Sequence, residues 1–232
     1  MGVSQNGTRV RRLRPPNAPL KDDSMADPSS AADLRPIVAF DFDGTLTVAD
    51  SFTAFLAWRV DRGRYLRGLA RLAPAAIGYL TDRDRGALKT AAAREYLRGV
   101  PRATLEMEAH AYARAAAARL LRPDALETWR RWGAQGARRV IVTASPELTV
   151  APFARDLGAE ALIGTRLEFD SDDRLTGAFV GANCRAEEKV VRLQAMFGPD
   201  VRLQAAYGDT SGDTAMLALA EEPGYRVFTG KP

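Results

Sequence analysis

Cysteine and histidine are nearly absent from this 232-residue sequence, which contains one of each, Cys184 and His110. A lone cysteine cannot close a disulfide within the chain, and no metal-binding Cys/His cluster can be assembled. The single histidine also excludes mechanisms that need a histidine pair. Few cysteines are typical of a reducing compartment, so we expect a cytoplasmic protein in which Cys184 packs rather than reacts.

An apolar run of signal-peptide type is also missing from the amino-terminal region. The basic residues of segment 9–14 are not followed by an apolar stretch, which excludes a secretory signal there. Residues 1–35 are rich in Pro, Ser, Asn and Asp and lack apolar periodicity. This composition predicts a disordered tail, and translation from either Met1 or Met25 is compatible with it.

Positive charge is concentrated in one part of the chain. The formal net charge is +4, but Arg59–Arg139 alone carries eighteen Lys and Arg against eight Asp and Glu. No nucleic-acid-binding motif accompanies this excess, so we expect no nucleic-acid partner. Two interpretations stay open: solvated basic faces, or attraction for an anionic substrate or membrane surface, which would make a cytoplasmic protein membrane-peripheral.

Short apolar runs alternate with helical patterns, which predicts an α/β fold with a Rossmann-like parallel sheet core. The predicted strands are 37–40, 140–142, 161–163, 203–207 and 225–228, with a hairpin over 166–169 and 175–180 and a late helix over 211–220. The stretch from about residue 52 to 121 reads as helix throughout and is too long for one crossover. We therefore predict a catalytic core of residues 36–52 and 124–232 and an inserted all-helical cap of residues 53–123.

Polar residues follow three of the predicted strands: Asp41 and Asp43, Thr143 and Ser145, and Asp209 and Asp213. The carboxyl ends of parallel strands form one edge, where ligands bind in open sheets. Clustered carboxylates repel one another unless a cation or protons neutralise them, and their hard oxygen ligands suit Mg²⁺. A carboxylate can also attack phosphorus while a second acid protonates the leaving oxygen, so the pattern fits phosphoryl transfer.

Four segments resemble the four motifs of the haloacid dehalogenase superfamily in order and separation. These segments are DFDGTLT at 41–47, VTAS at 142–145, Lys189, and GDTSGD at 208–213. The resemblance covers roughly residues 36–228. It implies an aspartyl-phosphate phosphatase, and the second acid Asp43 favours phosphatase over dehalogenase.

The resemblance also implies a role for each site residue. Asp41 would be the nucleophile, Asp43 the general acid/base, and Lys189 the cation that neutralises Asp41 and the phosphate. Phosphate oxygens would be held by Thr143, Ala144 and Lys189. The metal Mg²⁺ would be held by Asp41, Asp43 and Asp209, with Asp213 and Thr45 supporting these ligands from behind.

An all-helical cap after the first motif resembles the subclass that contains the phosphoserine phosphatases. In that subclass a Glu after the first motif binds the substrate amine, and a cap Arg binds the substrate. The matching positions here are Asp50, which is shorter than Glu, and Arg94, so phosphoserine itself is not implied. We expect a small soluble phosphomonoester as substrate. The sequence does not reveal the exact substrate, the pathway or the oligomeric state.

Two alternatives stay open. Apolar residues of 65–80 share one helical face, which predicts either a cap helix packed on its neighbours or an interfacial helix on anionic lipid. Phosphatidylglycerophosphate phosphatases of the superfamily have a similar layout, so an anionic phospholipid head group is an alternative substrate. A non-catalytic phosphate-binding regulatory module is the other alternative, which the intact acidic residues disfavour.

Overall fold

The computed structural model of the protein describes residues 33–82 and 85–232, and it leaves out the side chains of residues 78–85. The predicted disordered tail lies outside the described residues, except for its last three positions.

A six-stranded sheet forms the centre of the described chain, in the order β4-β3-β2-β1-β5-β6. The strands are β1 (Ile37–Phe40), β2 (Arg138–Pro146), β3 (Ala161–Phe169), β4 (Leu175–Val180), β5 (Leu203–Gly208) and β6 (Ala220–Tyr225). All neighbouring strands are parallel except β4, which pairs with β3 in an antiparallel hairpin. The predicted α/β class with a mostly parallel sheet is confirmed.

Eight helices accompany the sheet in the described residues. They are α1 (Ser51–Arg59), α2 (Arg62–Asp82), α3 (Arg85–Leu97), α4 (Arg102–Leu120), α5 (Pro123–Ala134), α6 (Glu147–Asp156), α7 (Glu187–Phe197) and α8 (Thr214–Leu217). Helices α1 to α4 form the long insertion between β1 and β2 that the sequence predicts. The division into a core and a cap domain at residues 53 and 123 stays a prediction.

The carboxyl-terminal elements differ from the sequence prediction. The helix expected over 211–220 is reduced to the single turn α8, and the last strand is β6, five residues before the expected 225–228. β6 is an edge strand whose side chains are mostly exposed and which contains Pro223. Edge strands accept polar residues and proline because one side of the backbone faces solvent. The apolar pattern used to predict strands is therefore absent from it.

The core positions the carboxyl end of β1 rigidly. Phe40 is fully buried, stacks on Tyr207 of β5 with ring centroids 4.5 Å apart, and meets Trp129 of α5 edge-on at 5.0 Å. Burying one such side chain contributes about 1.5–3 kcal/mol. The indole N–H of Trp132 donates to the Tyr207 hydroxyl at 2.9 Å, so this aromatic cluster leaves no polar group unpaired at that point. Asp41 directly follows Phe40, so the packing of Phe40 also fixes the position of the Asp41 backbone.

Candidate active site

The sequence-predicted residues meet at one edge of the sheet, as the strand order requires. Asp41 directly follows β1, Asp209 directly follows β5, and Lys189 lies in the first turn of α7. β1 lies between β2 and β5, so the loops after these three strands are adjacent. The predicted convergence of the motifs on a single site is therefore a feature of the fold.

The turn Phe42–Leu46 brings the first motif against the fourth. Gly44 adopts φ 84°, in the left-handed region that favours glycine. A Cβ at Gly44 would lie 2.3 Å from Oδ2 of Asp209. Glycine is thus needed both for the backbone conformation and for the close approach of the Asp209 carboxylate.

Lys189 lies between the buried carboxylates, and its side chain is 1% exposed. Its ammonium donates to Oδ1 of Asp41 at 2.6 Å, to the Val142 carbonyl at 2.6 Å and to Oδ1 of Asp213 at 2.7 Å. All three protons of the ammonium are therefore used. The other oxygen of Asp213 accepts from the backbone N–H of Asp209 and from the N–H and hydroxyl of Thr210.

One ammonium does not neutralise three neighbouring carboxylates. Burial raises the pKa of Asp41 to about 7, helped by repulsion from Asp213 and Asp43 and opposed by Lys189. Burial and the Asp213 charge likewise raise the pKa of Asp209. Burial also acts on Asp213, but the Lys189 ammonium and the hydrogen bonds outweigh it and lower its pKa. The site thus carries an excess of negative charge.

The arrangement suits a divalent metal ion. One carboxylate oxygen each from Asp41, Asp209 and Asp213 lies within 4.8 Å of the others. Oδ1 of Asp209 is buried and has no hydrogen-bond partner in the described part of the chain. A buried carboxylate oxygen without a partner is costly, and a hard cation satisfies it. Asp41 and Asp209 therefore fit Mg²⁺ as ligands, whereas both oxygens of Asp213 already accept hydrogen bonds from Lys189, Asp209 and Thr210.

The second motif lies beside these acids. Thr143 is fully buried, and its hydroxyl accepts the backbone N–H of Ser145 at 3.0 Å. Ala144 lines the cleft. The Ser145 hydroxyl forms a very short hydrogen bond to Oδ2 of Asp43, whose Oδ1 accepts the N–H of Ser51 at 2.7 Å. The hydroxyl of Thr45 is buried and has no hydrogen-bond partner among residues 33–82 and 85–232.

The helical stretch between β1 and β2 contributes a lysine that the sequence analysis did not select. Lys89 of α3 reaches the core, with its ammonium 3.1 Å from the Ser145 hydroxyl, 3.2 Å from Oδ2 of Asp50 and 3.7 Å from Oδ2 of Asp43. Burial alone would raise the pKa of Asp50, but Lys89 and the Thr53 N–H lower it. Burial disfavours the charged Lys89, but Asp43 and Asp50 outweigh it and raise its pKa.

Arg94, the cap residue proposed from the resemblance, lies elsewhere. It packs beside Gly177 of β4, where a Cβ on the glycine would come within 2.7 Å of the Arg94 Cα. It is not among the residues that line the cleft. The cleft has a volume of ≈ 80 Å³ and is lined by Asp41, Asp43, Asp50, Lys89, Ala144, Asn183, Arg185, Lys189, Thr210, Gly212 and Asp213. Four wider surface depressions in the described part of the chain are lined by other residues and do not include Asp41, Asp43 or Lys189.

The lining residues that sequence reasoning missed are Lys89, Asn183 and Arg185, and Ser145 was noted without a role. Composition offered one signal. The chain has four lysines among its 33 Lys and Arg, and two of the four, Lys89 and Lys189, lie in the cleft. Lysine is rare in this arginine-rich sequence, so a lysine within a helix of the insertion is a candidate site residue. Its ammonium is more compact than a guanidinium and fits better in a small anionic site.

The chain is similar to several known proteins. Protein CicA of Caulobacter vibrioides is 62% identical over 196 residues, which cover 84% of this chain and 88% of CicA. A Bordetella pertussis Tohama I protein of unknown function is similar in structure, with a TM-score of 0.67, 24% identity, and coverage of 82% of this chain and 88% of that one. A probable phosphoserine phosphatase from Vibrio cholerae gives a TM-score of 0.58, 18% identity, and coverage of 82% and 55%.

The two solved structures are distant in sequence and bear on the fold alone. The family model for haloacid dehalogenase-like hydrolases matches residues 38–218, a span that includes Asp41, Asp43, Lys189, Asp209 and Asp213. The match covers most of the chain and every motif that the site brings together. The chain belongs to the haloacid dehalogenase-like hydrolase family.

Proposed function

We propose that this protein is a Mg²⁺-dependent phosphomonoester hydrolase that acts through an aspartyl-phosphate on Asp41. The observation that carries the proposal is the buried Lys189 ammonium between Asp41 and Asp213, beside the unpaired oxygen of Asp209. A purely structural ion pair has no need for the Asp209 carboxylate beside it, whose buried oxygen has no partner in the described residues. A site that receives a metal ion and a phosphoryl group needs all of these charges.

In the first step, a carboxylate oxygen of Asp41 attacks phosphorus, and the bond between phosphorus and the ester oxygen breaks. Asp43, two residues on, gives its proton to the leaving oxygen. In the second step, Asp43 takes a proton from water, the water oxygen attacks phosphorus, and the bond to Asp41 breaks. Ser145 and the Ser51 N–H fix the Asp43 carboxyl by hydrogen bonds, so the acid/base is held in place for both steps.

The transferring phosphoryl group needs positive charge and hydrogen-bond donors around it. Lys189 supplies the charge from within the protein, while Thr143 and the backbone at Ala144 are the proposed phosphate contacts. Bound at Asp41, Asp209 and the backbone carbonyl of Asp43, Mg²⁺ would neutralise the carboxylates and polarise the phosphoryl oxygens. Asp213 orients Lys189 and completes the acidic group, and Thr45 supports the turn.

The core residues contact only the phosphoryl group, so selection among substrates falls to the insertion. Lys89 and Asp50 line the cleft and form an ion pair at 3.2 Å. We propose Lys89 of the cap, rather than Arg94, together with Asp50 of the core, as the substrate contacts. Such a pair can address a small soluble phosphomonoester that carries both an anionic and a cationic group.

A phospholipid head group is the second candidate. One observation favours it: the apolar residues of α2 that would pack inside the cap of a purely soluble enzyme are exposed instead. The presence of Asp41, Asp43 and Asp209 in the sequence disfavours the non-catalytic alternative.

The test is release of phosphate from para-nitrophenyl phosphate with Mg²⁺, followed by a panel of phosphomonoesters that includes phosphoserine and a lysophospholipid phosphate. Lys89→Ala should raise KM for the preferred substrate at least tenfold, about 1.4 kcal/mol, while Arg94→Ala should leave KM unchanged. The aryl ester tests the reaction itself. No turnover of it by wild type, with the metal supplied, contradicts the proposal.

A further inference from the structure

Helix α2 presents an apolar stripe to solvent. Leu66 and Ile77 are each 64% exposed, and Leu69 is 44% exposed. Ala70, Ala73 and Ala76 between them are exposed as well. Residues three, four and seven apart share one face of a helix, so these side chains form one continuous strip. Single exposed apolar residues are ordinary on a protein surface, but a strip along most of a helix is not.

The opposite face of α2 is already occupied by the rest of the cap. Tyr65 stacks on Tyr96 of α3 at 5.7 Å, and the Tyr96 hydroxyl donates to the Tyr65 carbonyl at 2.7 Å. Gly68 lies so close to the Tyr96 ring that a Cβ would come within 2.3 Å of it. Leu72, on the same side, packs against the hydrophobic core. Helix α2 therefore packs on α3 through one face. The exposed apolar strip lies on the other face and is not part of this contact.

Positive charge accompanies the strip. Residues 62–81 contain four arginines and no acidic residue. Glu95 of α3 pairs with Arg64 at 2.5 Å and with Arg71 at 3.2 Å, and Asp61 precedes the helix. With Asp82, the last residue of α2, three acids stand against four arginines, so this surface has a net charge of +1. Arg62 and Arg67 are exposed beside Leu66.

We infer that the outer face of α2 is a docking surface for an anionic bilayer, on which the helix lies parallel to the membrane plane. Basic residues beside an apolar strip match the two layers of such a surface, the anionic head groups and the acyl chains beneath them. In the part of the chain that the structure describes, no helix is apolar enough to cross a membrane. Contact from one side is then the way α2 can use its apolar strip in a bilayer.

This inference concerns binding and is independent of the proposed reaction, so it is tested on Asp41→Asn protein. The probe is sedimentation with vesicles of phosphatidylglycerol and phosphatidylcholine in equal parts, compared with pure phosphatidylcholine, at low and high salt. Asp41→Asn protein with an unchanged α2 should bind only the anionic vesicles, and salt should weaken this binding. Arg62→Glu with Arg67→Glu should weaken binding at least roughly 25-fold, since each lost arginine costs roughly fivefold.

The apolar half of the contact has its own variants. Leu66→Ser with Ile77→Ser should weaken binding roughly tenfold or more, because these side chains no longer enter the acyl region. The matched controls are on α4: Met107→Ser, at a residue 66% exposed, and Arg114→Glu with Arg119→Glu, at exposed arginines. All substitutions are at the surface, so the melting temperatures should stay close to that of the parent.

Fluorescence can also measure directly whether the apolar strip of α2 enters the bilayer. The native Cys184 is fully buried, and burial raises the pKa of its thiol to about 11, so a thiol introduced at the surface can be labelled selectively. A polarity-sensitive fluorophore on Leu66→Cys should shift to shorter wavelength when anionic vesicles are added. The same label on Met107→Cys should not shift.

Loss of binding in both α2 variants, with the α4 controls unaffected, supports the inference. Absence of wild-type binding to anionic vesicles at low salt overturns it. Equal binding of anionic vesicles by the α2 variants and the α4 control variants also overturns it. A change from dimer to monomer in Leu66→Ser with Ile77→Ser, without any vesicle binding by the parent, would assign the strip to a second copy of the chain and overturn the bilayer.

Discussion

Removing the charge of Lys189 is the most informative perturbation of the site. Lys189→Met keeps the length of the side chain but deletes the hydrogen bonds to Asp41, Val142 and Asp213. Two carboxylates that shared one ammonium are then left without it in a water-excluded site. Breaking a buried ion pair by removing one partner costs about 3–5 kcal/mol of unfolding free energy.

The pH dependence of this loss identifies its cause. The pKa of Asp41 is already raised to about 7 from an ordinary value near 3.8, and losing Lys189 raises it further. A carboxyl whose folded pKa exceeds its unfolded pKa binds its proton more tightly in the folded protein. The folded state of the variant therefore loses stability as pH rises through that pKa, and regains it as pH falls.

The assay is urea unfolding without metal at about pH 8 and about pH 5.5, for wild type and Lys189→Met. The loss of unfolding free energy from wild type to Lys189→Met should be smaller at about pH 5.5 than at about pH 8. It should also shrink when both proteins carry Asp41→Asn, because the amide needs no neutralisation. An equal loss at both pH values and in both backgrounds would show that Lys189 acts by packing alone, and would refute the electrostatic account of the site.

The remaining predictions concern the metal and the turn. Saturating Mg²⁺, at a hundred times its Kd, should stabilise the wild type by about 2.7 kcal/mol in thermal unfolding, and Asp209→Asn should lose most of this gain. EDTA should abolish turnover, and Ca²⁺ should restore it poorly because its looser coordination misplaces the nucleophile. Gly44→Ala should weaken Mg²⁺ binding, measured by calorimetry, because its Cβ overlaps Asp209. Arg122→Ala should cost about 1–3 kcal/mol in urea unfolding, because the Arg122 side chain donates to the Gly44, Thr47 and Gly230 carbonyls; Arg119→Ala, at an exposed residue, should cost under 0.5 kcal/mol. Full activity in chelator or an unaltered Gly44→Ala protein would count against the site.

The sequence was sufficient to predict the strands that end at the site. Buried parallel strands are apolar runs, so Ile37–Phe40 could be predicted directly, and 203–207 departs from such a run only at Gln204. The acids that follow them had to converge because these strands are neighbours in the sheet. The meeting of Asp41 with Asp209 therefore follows from local pattern plus topology.

The insertion could be predicted as helical but not in its packing. Alanine, leucine and arginine dominate it, so propensity indicates helix throughout without showing where each helix ends or which face is buried. The apolar residues of 65–80 were expected on one face of α2, but the structure divides them: Tyr65 packs against Tyr96, whereas Leu66 and Ile77 are exposed. For the same reason Lys89 was missed, since its contact with Asp50 spans two helices whose arrangement no local pattern specifies.

β6 was misplaced for a different reason. Its residues are polar and include Pro223, so neither alternation nor an apolar run indicates a strand. The strand exists because β5 has an open edge, and the backbone of 220–225 supplies the hydrogen bonds for it. Strand formation there is a consequence of tertiary structure rather than of local preference.

Capture of the phosphorylated enzyme tests the central claim most directly. Asp43→Asn protein should be mixed with Mg²⁺ and para-nitrophenyl phosphate, quenched in acid, and digested for mass spectrometry. Because an aryl leaving group needs little protonation while the attacking water needs the base, the acyl phosphate should accumulate. The account predicts one phosphoryl group on Asp41, removed by hydroxylamine and absent from Asp41→Asn protein. A phosphoryl group on another residue, or turnover by Asp41→Asn within tenfold of wild type, would contradict it.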